Sequence, residues 1–325
     1  HTVLDCLPIL TSLFRPGVLD LQQITYDKTP AGIVEQIALK EAVHPLQSLE
    51  DLRKRLGGGR RCFAFFHPAL PNKPLVFVHV ALLPDMPTTM SDLEYATESN
   101  ATCATFYSIT NTEPGLSGVD LGNHLIKSVV QVLQNEFPKL QTFCTLSPLP
   151  KFRQWLEGKI VRYHEGLRRK QDFSSKILDN DMLCPEELQQ LQGIFSSESY
   201  LLELLETLKS PKWHITPEGT ASTLVDQLEP VLMKLAAYYL TIEKHHGRPL
   251  CPVAKFHIRN GAEMHRLNYM ADTSAKGMRN SCGIMINYQY VLDEMEGNRV
   301  QYEINGQIVV KDEVKSWLTS NSPNF

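Results

Sequence analysis

Three glycines stand between a predicted strand and a predicted helix, and their spacing could serve phosphate binding. Gly115, Gly118 and Gly122 follow a strand-like stretch and precede an amphipathic one. Glycine lets main-chain N–H groups approach a ligand closely, and the first turn of a helix offers unpaired donors and a partial positive charge. The pattern indicates a pyrophosphate site. An ordinary strand-to-helix turn would use the same glycines, so spacing alone leaves both interpretations open.

The segments on either side of these glycines must position the loop. Residues 101–110 alternate small or apolar side chains with polar ones, which predicts a partly buried strand. Residues 124–137 carry apolar side chains at helical spacing, Pro138 ends that helix, and residues 140–146 return as a second strand. The stretch is therefore predicted to be a strand, a loop, a helix and a strand.

Composition and charge exclude several classes of protein. The chain has 325 residues, of which 42% are hydrophobic and 21% charged, as in a soluble globular protein with one large or two moderate domains. A net charge of -4 without a long basic run argues against nucleic acid as a partner. No apolar run reaches the roughly 18–20 residues that span a bilayer. We therefore expect neither a nucleic-acid nor a membrane partner.

The cysteines indicate an intracellular, reducing compartment. There are seven, scattered and without a CxxC pair, which favours free thiols and argues against a zinc site or other metal centre. The sequence begins with His1 rather than methionine, which suggests a trimmed N-terminus. Cytoplasm, mitochondrial matrix and peroxisome therefore all stay open.

Periodicity and turn residues predict the remaining elements. Before the central stretch they give three helices and a hairpin of two strands, over residues 1–14, 30–41, 48–56, 61–66 and 75–83. After it, residues 164–219 are polar and mostly helical, which suggests a helical insertion. Residues 220–245 form the longest predicted helix, broken near Pro230. Residues 281–290 could be strand or helix.

Two further elements are predicted near the end of the chain. Asn305-Gly306 is the dipeptide that most often forms a tight hairpin turn, so residues 301–310 are predicted to be a β-hairpin. Residues 311–318 are predicted to be a terminal helix.

This order of elements resembles that of the GNAT superfamily of acyl-CoA-binding acetyltransferases. In that family the strands before the loop and after the helix splay apart and leave a slot for CoA. The family loop is Arg/Gln-x-x-Gly-x-Gly/Ala, with a leucine three residues after the last glycine. Gly122 and Leu125 are in register, whereas Asp120 and Ser117 replace the first glycine and the Arg or Gln. The resemblance implies a GNAT-like α+β fold with a mixed, mostly antiparallel sheet and splayed central strands.

A closer resemblance covers the chain from about residue 10 onwards. The sequence is similar to the malonyl-CoA decarboxylases, whose catalytic domain is a GNAT fold. The blocks that carry the similarity occur in one order: Glu41-Ala42-Val43-His44-Pro45, Arg60-Arg61-Cys62, residues 75–82 (LVFVHVAL), Phe106-Tyr107-Ser108-Ile109, Gly118-Val119 with Leu121-Gly122, Leu146-Ser147-Pro148, Glu243-Lys244-His245, Pro252-Val253-Ala254, Phe256-His257, Asn260-Gly261-Ala262, Met270-Ala271-Asp272 and Ser281-Cys282-Gly283.

The second resemblance also implies a domain organisation. Residues 1–44 correspond to the tail of an N-terminal helical domain that serves oligomerisation, so residual N-terminal helices are expected. Residues 45–325 correspond to the catalytic domain, with the helical insertion at about 164–219. A homo-oligomer, dimer or tetramer, is expected.

Ser147 and His257 are implied to be the central catalytic pair, because each lies in a family-matching block. The end of the strand after the CoA helix faces the acyl group in this fold, so a hydroxyl at Ser147 can bind the malonyl carboxylate or the thioester oxygen. Histidine titrates near neutrality, so His257 can deliver a proton. Residue type alone would not select them, since serine before proline is commonly a turn residue and His257 is one of eleven histidines.

Two more residues are implied to support this pair. Asp120 lies where the family has a glutamate, and it could orient His257, repel a misplaced carboxylate or cap a helix N-terminus. Tyr290 matches a family tyrosine near the site, although a buried aromatic without a catalytic part fits it equally. The CoA phosphates are assigned to the main chain of seven consecutive residues: Ser117, Gly118, Val119, Asp120, Leu121, Gly122 and Asn123.

The implied activity is decarboxylation of malonyl-CoA to acetyl-CoA and CO2, through a thioester enolate that His257 protonates. No metal or organic cofactor is expected, because the thioester is itself the electron sink and CoA is part of the substrate. One alternative is a GNAT-like acyltransferase that decarboxylates malonyl units and loads acetyl groups onto a carrier protein. Another is a non-catalytic module that senses acyl-CoA.

Overall fold

The computed structural model describes residues 9–116, 119–168, 182–197 and 199–319. The chain divides into two compact units, residues 1–146 and 147–325, which are called unit 1 and unit 2 below. Within the described ranges, no helix combines the length and the apolar character needed to cross a membrane.

Unit 1 is built on a mixed sheet with strand order β1-β2-β3-β4-β5. The pairs from β1 to β4 are antiparallel, and β4 and β5 are parallel. Its elements in chain order are β1 (Asp20–Ile24), α1 (Ala31–Lys40), α2 (Leu49–Arg55), β2 (Arg60–Phe66), β3 (Val76–Leu83), β4 (Cys103–Asn111), α3 (Leu121–Glu136) and β5 (Thr142–Thr145).

The sequence of unit 1 explains why β2 and β3 lie in its centre. Both strands are buried at every position, as expected for near-continuous apolar runs covered on both faces. Ile33 and Ile37 of α1, with Leu52 of α2, pack in one cluster with side chains of the first three strands. The helix α3 buries an apolar face that includes Leu125 and Val129. The core therefore forms by helices covering a hydrophobic sheet.

The arrangement of β4, α3 and β5 confirms the predicted strand–loop–helix–strand order. The parallel ladder joins Cys103–Phe106 to Thr142–Thr145 and stops there, whereas β4 continues to Asn111. The antiparallel ladder of β3 with β4 shifts register, so that Tyr107 is an extra residue in β4. An α+β fold with a mixed, mostly antiparallel sheet, as predicted for a GNAT-like domain, is confirmed.

Residues 20–40 are part of unit 1. The strand β1 pairs with β2 along its whole length, and α1 packs in the same apolar cluster as β2 and β3. The assignment of residues 1–44 to a preceding helical domain stays a prediction, as does the boundary that begins the catalytic domain at residue 45.

Unit 2 combines a small antiparallel sheet with several helices, and β10 lies between β6 and β9 in that sheet. A separate hairpin joins β7 to β8. The elements in chain order are β6 (Ser147–Pro148), α4 (Phe152–Arg168), α5 (Pro185–Phe195), α6 (Tyr200–Lys209), α7 (Leu224–Thr241), β7 (Lys244–His245), β8 (Arg248–Pro249), α8 (Pro252–Arg259), β9 (Glu263–Asn268), α9 (Ala275–Ser281), β10 (Met285–Gln289), α10 (Met295–Asn305) and α11 (Asp312–Ser316).

Four expectations for unit 2 can be compared with the structure. The hairpin at Asn305-Gly306 is wrong: α10 runs to Asn305, and Gly306 ends it in the left-handed conformation, the other common use of that dipeptide. The break at Pro230 is also wrong, because α7 continues through it with buried neighbours such as Leu228 and Val231 packing the helix in place. The undecided stretch over residues 281–290 contains the strand β10. Residues 164–219 are mostly helical where they are described.

A buried carboxylate ties three parts of unit 1 together. Glu41 follows α1, and its Oε1 accepts hydrogen bonds from the main-chain N–H groups of Val43 and His44 at 2.8 and 3.0 Å. The hydroxyl of Ser108 on β4 donates to both carboxylate oxygens, at 2.8 and 2.7 Å. The imidazole of His79 on β3 lies 3.5 Å from the same carboxylate. Glu41 thereby fixes the turn after α1 to the sheet.

We expect Glu41→Ala to destabilise unit 1 by about 2–4 kcal/mol, because it leaves the donors of Val43, His44 and Ser108 without their acceptor in a buried place. The free energy of unfolding from denaturant titration measures the effect. The matched control is Glu35→Ala on the exposed side of α1, which should change that free energy by less than about 0.5 kcal/mol. Equal effects of the two substitutions would contradict a tethering role for Glu41.

Candidate active site

Three elements of unit 2 bring the predicted catalytic residues together. Ser147 lies in β6 and pairs with Ile286 of β10. His257 lies in the last turn of α8, whose inward face also buries Ala254 and Ile258 at helical spacing. Tyr290 follows directly after β10. Strand pairing and helix packing therefore set the positions of all three side chains.

Both ring nitrogens of His257 have partners. The Nε2 atom lies 3.3 Å from the hydroxyl oxygen of Ser147, although the two residues are 110 positions apart in the chain. The Nδ1 atom lies 2.7 Å from the phenol oxygen of Tyr290. A hydroxyl, an imidazole and a phenol thus form one continuous hydrogen-bonded chain. The prediction that Ser147 and His257 lie side by side agrees with this geometry, and their catalytic roles stay predictions.

The imidazole also has an aromatic neighbour that the sequence did not single out. The ring of Tyr288 packs on His257 with centroids 4.6 Å apart and an angle of 25° between the planes. Tyr288 and Tyr290 are two positions apart, and alternate residues of a strand point to the same side. The spacing therefore indicates that Tyr288 and Tyr290 face the same neighbour, but it does not identify that neighbour as His257.

Burial makes the His257 ring neutral. Only 4% of His257 is exposed, with 6% for Ser147 and 2% for Tyr290. Loss of hydration disfavours the imidazolium and lowers the pKa of His257 from 6.5 to about 3. A lowered pKa in the folded state means that stability is lost as the pH falls from about 6.5 towards 3. At neutral pH the ring therefore carries one proton.

A neutral ring allows two arrangements of the hydrogen-bonded chain. With the proton on Nδ1, His257 donates to Tyr290 and accepts from Ser147; with the proton on Nε2, both directions reverse. With the proton on Nδ1, the ring can accept the hydroxyl proton of Ser147 at Nε2; with the proton on Nε2, the ring can donate towards Ser147. This pair can therefore activate a hydroxyl or pass a proton to a bound molecule.

The predicted CoA loop lies at the start of α3 in unit 1. Val119, Leu121, Gly122 and Asn123 are buried. The N–H groups of Val119 and Leu121 donate to the carbonyls of Leu116 and Val119, at 3.0 and 2.8 Å. These two donors are occupied. The first-turn N–H groups of Gly122 and Asn123 have no carbonyl within the helix to bind. Ser117 and Gly118 lie outside the described residues.

Asp120 immediately precedes α3 and is its N-cap residue. Its carboxylate accepts a hydrogen bond from the side-chain amide of Asn123 at 3.1 Å and makes no capping bond to a main-chain N–H group. A negative charge here is favourable beside the positive end of the helix dipole. The other roles predicted for Asp120 stay predictions.

Metal-binding side chains and thiols are distributed as follows. In the ranges that the structure describes, no three His, Cys, Asp or Glu side chains come together in a way that could hold a metal ion. The cysteines in those ranges form no disulfide bond: Cys62, Cys103, Cys144, Cys184, Cys251 and Cys282.

Comparison with known proteins gives a consistent result. The family model described as malonyl-CoA decarboxylase C-terminal domain matches residues 17–324. The mitochondrial malonyl-CoA decarboxylases of Anser anser anser and Rattus norvegicus are 36% and 37% identical over 323 residues, which is 97% of this chain. The chain spans about three fifths of the length of these relatives, 61% and 62%.

Solved structures agree with the sequence comparison. The crystal structure of malonyl-CoA decarboxylase from Agrobacterium vitis is 38% identical, with a TM-score of 0.78 over 97% of this chain and 70% of the other. The enzyme from Rhodopseudomonas palustris is also 38% identical, with a TM-score of 0.76 over 96% of this chain and 69% of the other. Since the family model covers nearly all of the sequence, the chain belongs to the malonyl-CoA decarboxylase C-terminal domain family.

Proposed function

We propose that this chain decarboxylates malonyl-CoA to acetyl-CoA and CO2. The observation that carries the proposal is the buried chain of hydrogen bonds from Ser147 through His257 to Tyr290. Family membership supports the substrate, because the relatives are named malonyl-CoA decarboxylases. The proposed enzyme is a carbon–carbon lyase.

The reaction sets three requirements on the site. The carboxylate must be held so that the breaking C–C bond lines up with the carbonyl π system. The thioester oxygen must be stabilised while the enolate develops, and an acid must then protonate the carbon. The electrons of the C–C bond pass into the thioester, so none of these steps calls for a metal or organic cofactor. CoA enters as part of the substrate.

His257 is the proposed proton donor. Malonyl-CoA carries a carboxylate that acetyl-CoA lacks, so the reaction consumes one proton for each CO2 released. The ring is neutral without substrate. A carboxylate bound beside it favours the imidazolium and raises the pKa of His257. Substrate binding and uptake of the required proton are therefore coupled.

The proton leaves His257 after the C–C bond breaks. The enolate carbon takes the proton from Nε2, the thioester carbonyl re-forms, and the imidazole is neutral again. The phenol of Tyr290 on the opposite ring nitrogen keeps the imidazole oriented during the transfer. Ser147, on the Nε2 side, donates a hydrogen bond from its hydroxyl to the malonyl carboxylate or to the thioester oxygen and keeps its proton.

The remaining parts of the proposal concern CoA and assembly. The first-turn N–H groups of Gly122 and Asn123 in α3 bind a CoA phosphate, since helix N-termini favour anions. Asp120 orients the site or repels a misplaced carboxylate. The working form is a homo-oligomer, dimer or tetramer, in an intracellular, reducing compartment.

We expect Ser147→Ala and His257→Asn each to reduce CO2 release from malonyl-CoA by at least about 100-fold, because each removes a member of the proton-transfer pair. The affinity for CoA should change little, since neither side chain is assigned to the nucleotide. Release of labelled gas from carboxyl-labelled malonyl-CoA measures turnover, and calorimetric titration measures CoA binding.

The matched control for this experiment is His245→Asn in the exposed hairpin of unit 2, which should keep full turnover. Near-normal CO2 release by His257→Asn would remove His257 as the proton donor. An absolute requirement for an acceptor thiol or amine would instead identify an acyltransferase, since the lyase forms free acetyl-CoA without any acceptor.

The second prediction for this site concerns pH. In the ligand-free protein, nitrogen NMR of His257 should show a neutral ring down to about pH 4, because burial lowers its pKa to about 3. An unreactive thioether analogue of malonyl-CoA, which keeps the carboxylate, should raise this pKa by at least one unit. Acetyl-CoA, without a carboxylate, should raise it less. Equal titration with both ligands would contradict coupling between the substrate carboxylate and the ring.

A further inference from the structure

Unit 1 contains an open cavity between α2, the start of β2, the turn over residues 90–95 and β4. Its volume is about 50 Å³. One water needs about 10–15 Å³ on that measure, so the cavity has room for roughly four waters or one small ion. The polar side chains that matter for its chemistry are His44, Lys54, Arg55, Arg60 and Tyr107.

Two of the three cations in this cavity are matched by acids. Arg55 donates from Nε and Nη2 to the two carboxylate oxygens of Asp51, at 2.9 and 2.8 Å, and from Nη1 to the carbonyl of His44. Lys54 lies 3.5 Å from Glu94, and both side chains are more than half exposed, so that pair is weak. The acids of the cavity are thereby accounted for.

Arg60 is the third cation, and it is only 8% exposed. No acidic side chain in the described part of the chain forms an ion pair with it. Its Nη2 donates to the carbonyl of Leu93, and its guanidinium carbon lies 5.2 Å from the centre of the Tyr107 ring. A guanidinium has five N–H donors and cannot lose its charge in a protein. Most of the hydrogen-bonding capacity of Arg60 is therefore available to a ligand.

Tyr107 supplies a second donor at the same place. It is the extra residue in β4, and the bulge directs it towards Arg60. The residue is 3% exposed, and within the described ranges its hydroxyl proton has no acceptor, since the neighbouring guanidinium of Arg60 can only donate. Burial raises the pKa of Tyr107 to about 12, so the hydroxyl keeps its proton. A buried donor without a partner is costly, and an oxygen ligand would satisfy it.

The charges of Arg55 and Arg60 also act on the neighbouring imidazole of His79. The imidazole of His79 is completely buried on the adjacent strand β3. Burial is the main cause that lowers the pKa of His79 to about 3, and the charges of Arg55 and Arg60 lower it further. The positive charges of Arg55 and Arg60 therefore act at His79, which also lies 3.5 Å from the Glu41 carboxylate.

We propose that this cavity binds a small oxyanion of the phosphate type, held by Arg60, Tyr107 and Lys54. Its size admits one phosphate group, and because the cavity is open, that group can be free or belong to a larger molecule that stays outside. Free phosphate and a phosphate group of CoA share this chemistry, and the experiment below separates them. Binding of free phosphate does not depend on the decarboxylase activity proposed above.

The test measures binding of inorganic phosphate to the whole chain by calorimetry, in wild type and variants. We expect Arg60→Gln to weaken binding by roughly 10- to 100-fold, since a charge-assisted bond is lost. Tyr107→Phe should weaken it by about 5-fold. Arg53→Gln is the matched control, because it removes the same charge from the exposed side of α2 and should leave the affinity unchanged.

Tyr107→Phe also keeps the proposal testable if Arg60→Gln does not fold. In phosphate-free buffer it should not lower the free energy of unfolding, because it removes a hydroxyl whose proton has no acceptor in the described part of the chain. Absence of phosphate binding to wild type, or equal affinity in Tyr107→Phe and wild type, would overturn the proposal.

Competition identifies the source of the anion. If CoA displaces phosphate and dephospho-CoA does not, the cavity takes the 3′-phosphate of CoA. If neither displaces it, the cavity takes a free oxyanion. Loss of CO2 release in the Ser147 and His257 variants with phosphate binding intact would show that the two proposals stand separately.

Discussion

The hydrogen-bonded imidazole of His257 is the interaction on which the site in unit 2 depends. Burying an imidazole costs free energy unless both ring nitrogens find partners, and here Ser147 and Tyr290 supply them. Three separate pieces of chain must be in place for this to happen. The helix α8 carries the ring, the pairing of β6 with β10 sets Ser147, and the end of β10 sets Tyr290. The site is thus a consequence of the sheet register.

His79 and His257, which are both buried, show how the neighbours of a residue determine its chemistry. His79 and His257 both have a pKa lowered to about 3 by burial. His79 is completely enclosed beside the Glu41 carboxylate, which is already bound to main-chain donors and Ser108, so it has no route to a ligand. His257 contacts the hydroxyl of Ser147, a residue that is 6% exposed, so a proton can pass between the ring and a bound molecule. The chemistry follows from the partner of the ring rather than from its pKa.

Local signals predicted the parts of the fold that depend on neighbouring residues. The apolar spacing of α3 and the alternation in β4 were sufficient because both are periodic. The hairpin predicted at Asn305-Gly306 was wrong because the same dipeptide occurs both at helix ends and in hairpin turns. Only the packing of α10 decides between the two structures. The contact of Ser147 with His257 spans 110 residues and needs a strand register that no local pattern encodes. Family resemblance identified that pair. The two-residue spacing of Tyr288 and Tyr290 could not identify His257 as their neighbour, and no local pattern indicated the Arg60 cavity.

Burial has opposite consequences for the charge of an imidazole and for the charge of a guanidinium, as His257 and Arg60 show. Loss of hydration lowers the pKa of His257, so the imidazole is neutral unless an anion binds beside it. Arg60 cannot respond in that way, because a guanidinium keeps its proton at any pH at which the protein folds. Its charge must be balanced by something outside its own hydrogen bond to Leu93. The aromatic face of Tyr107 offers only a partial balance, since a cation–π contact contributes about 0.5–2 kcal/mol. An oxyanion between the guanidinium and the phenol is the arrangement that satisfies both groups at once.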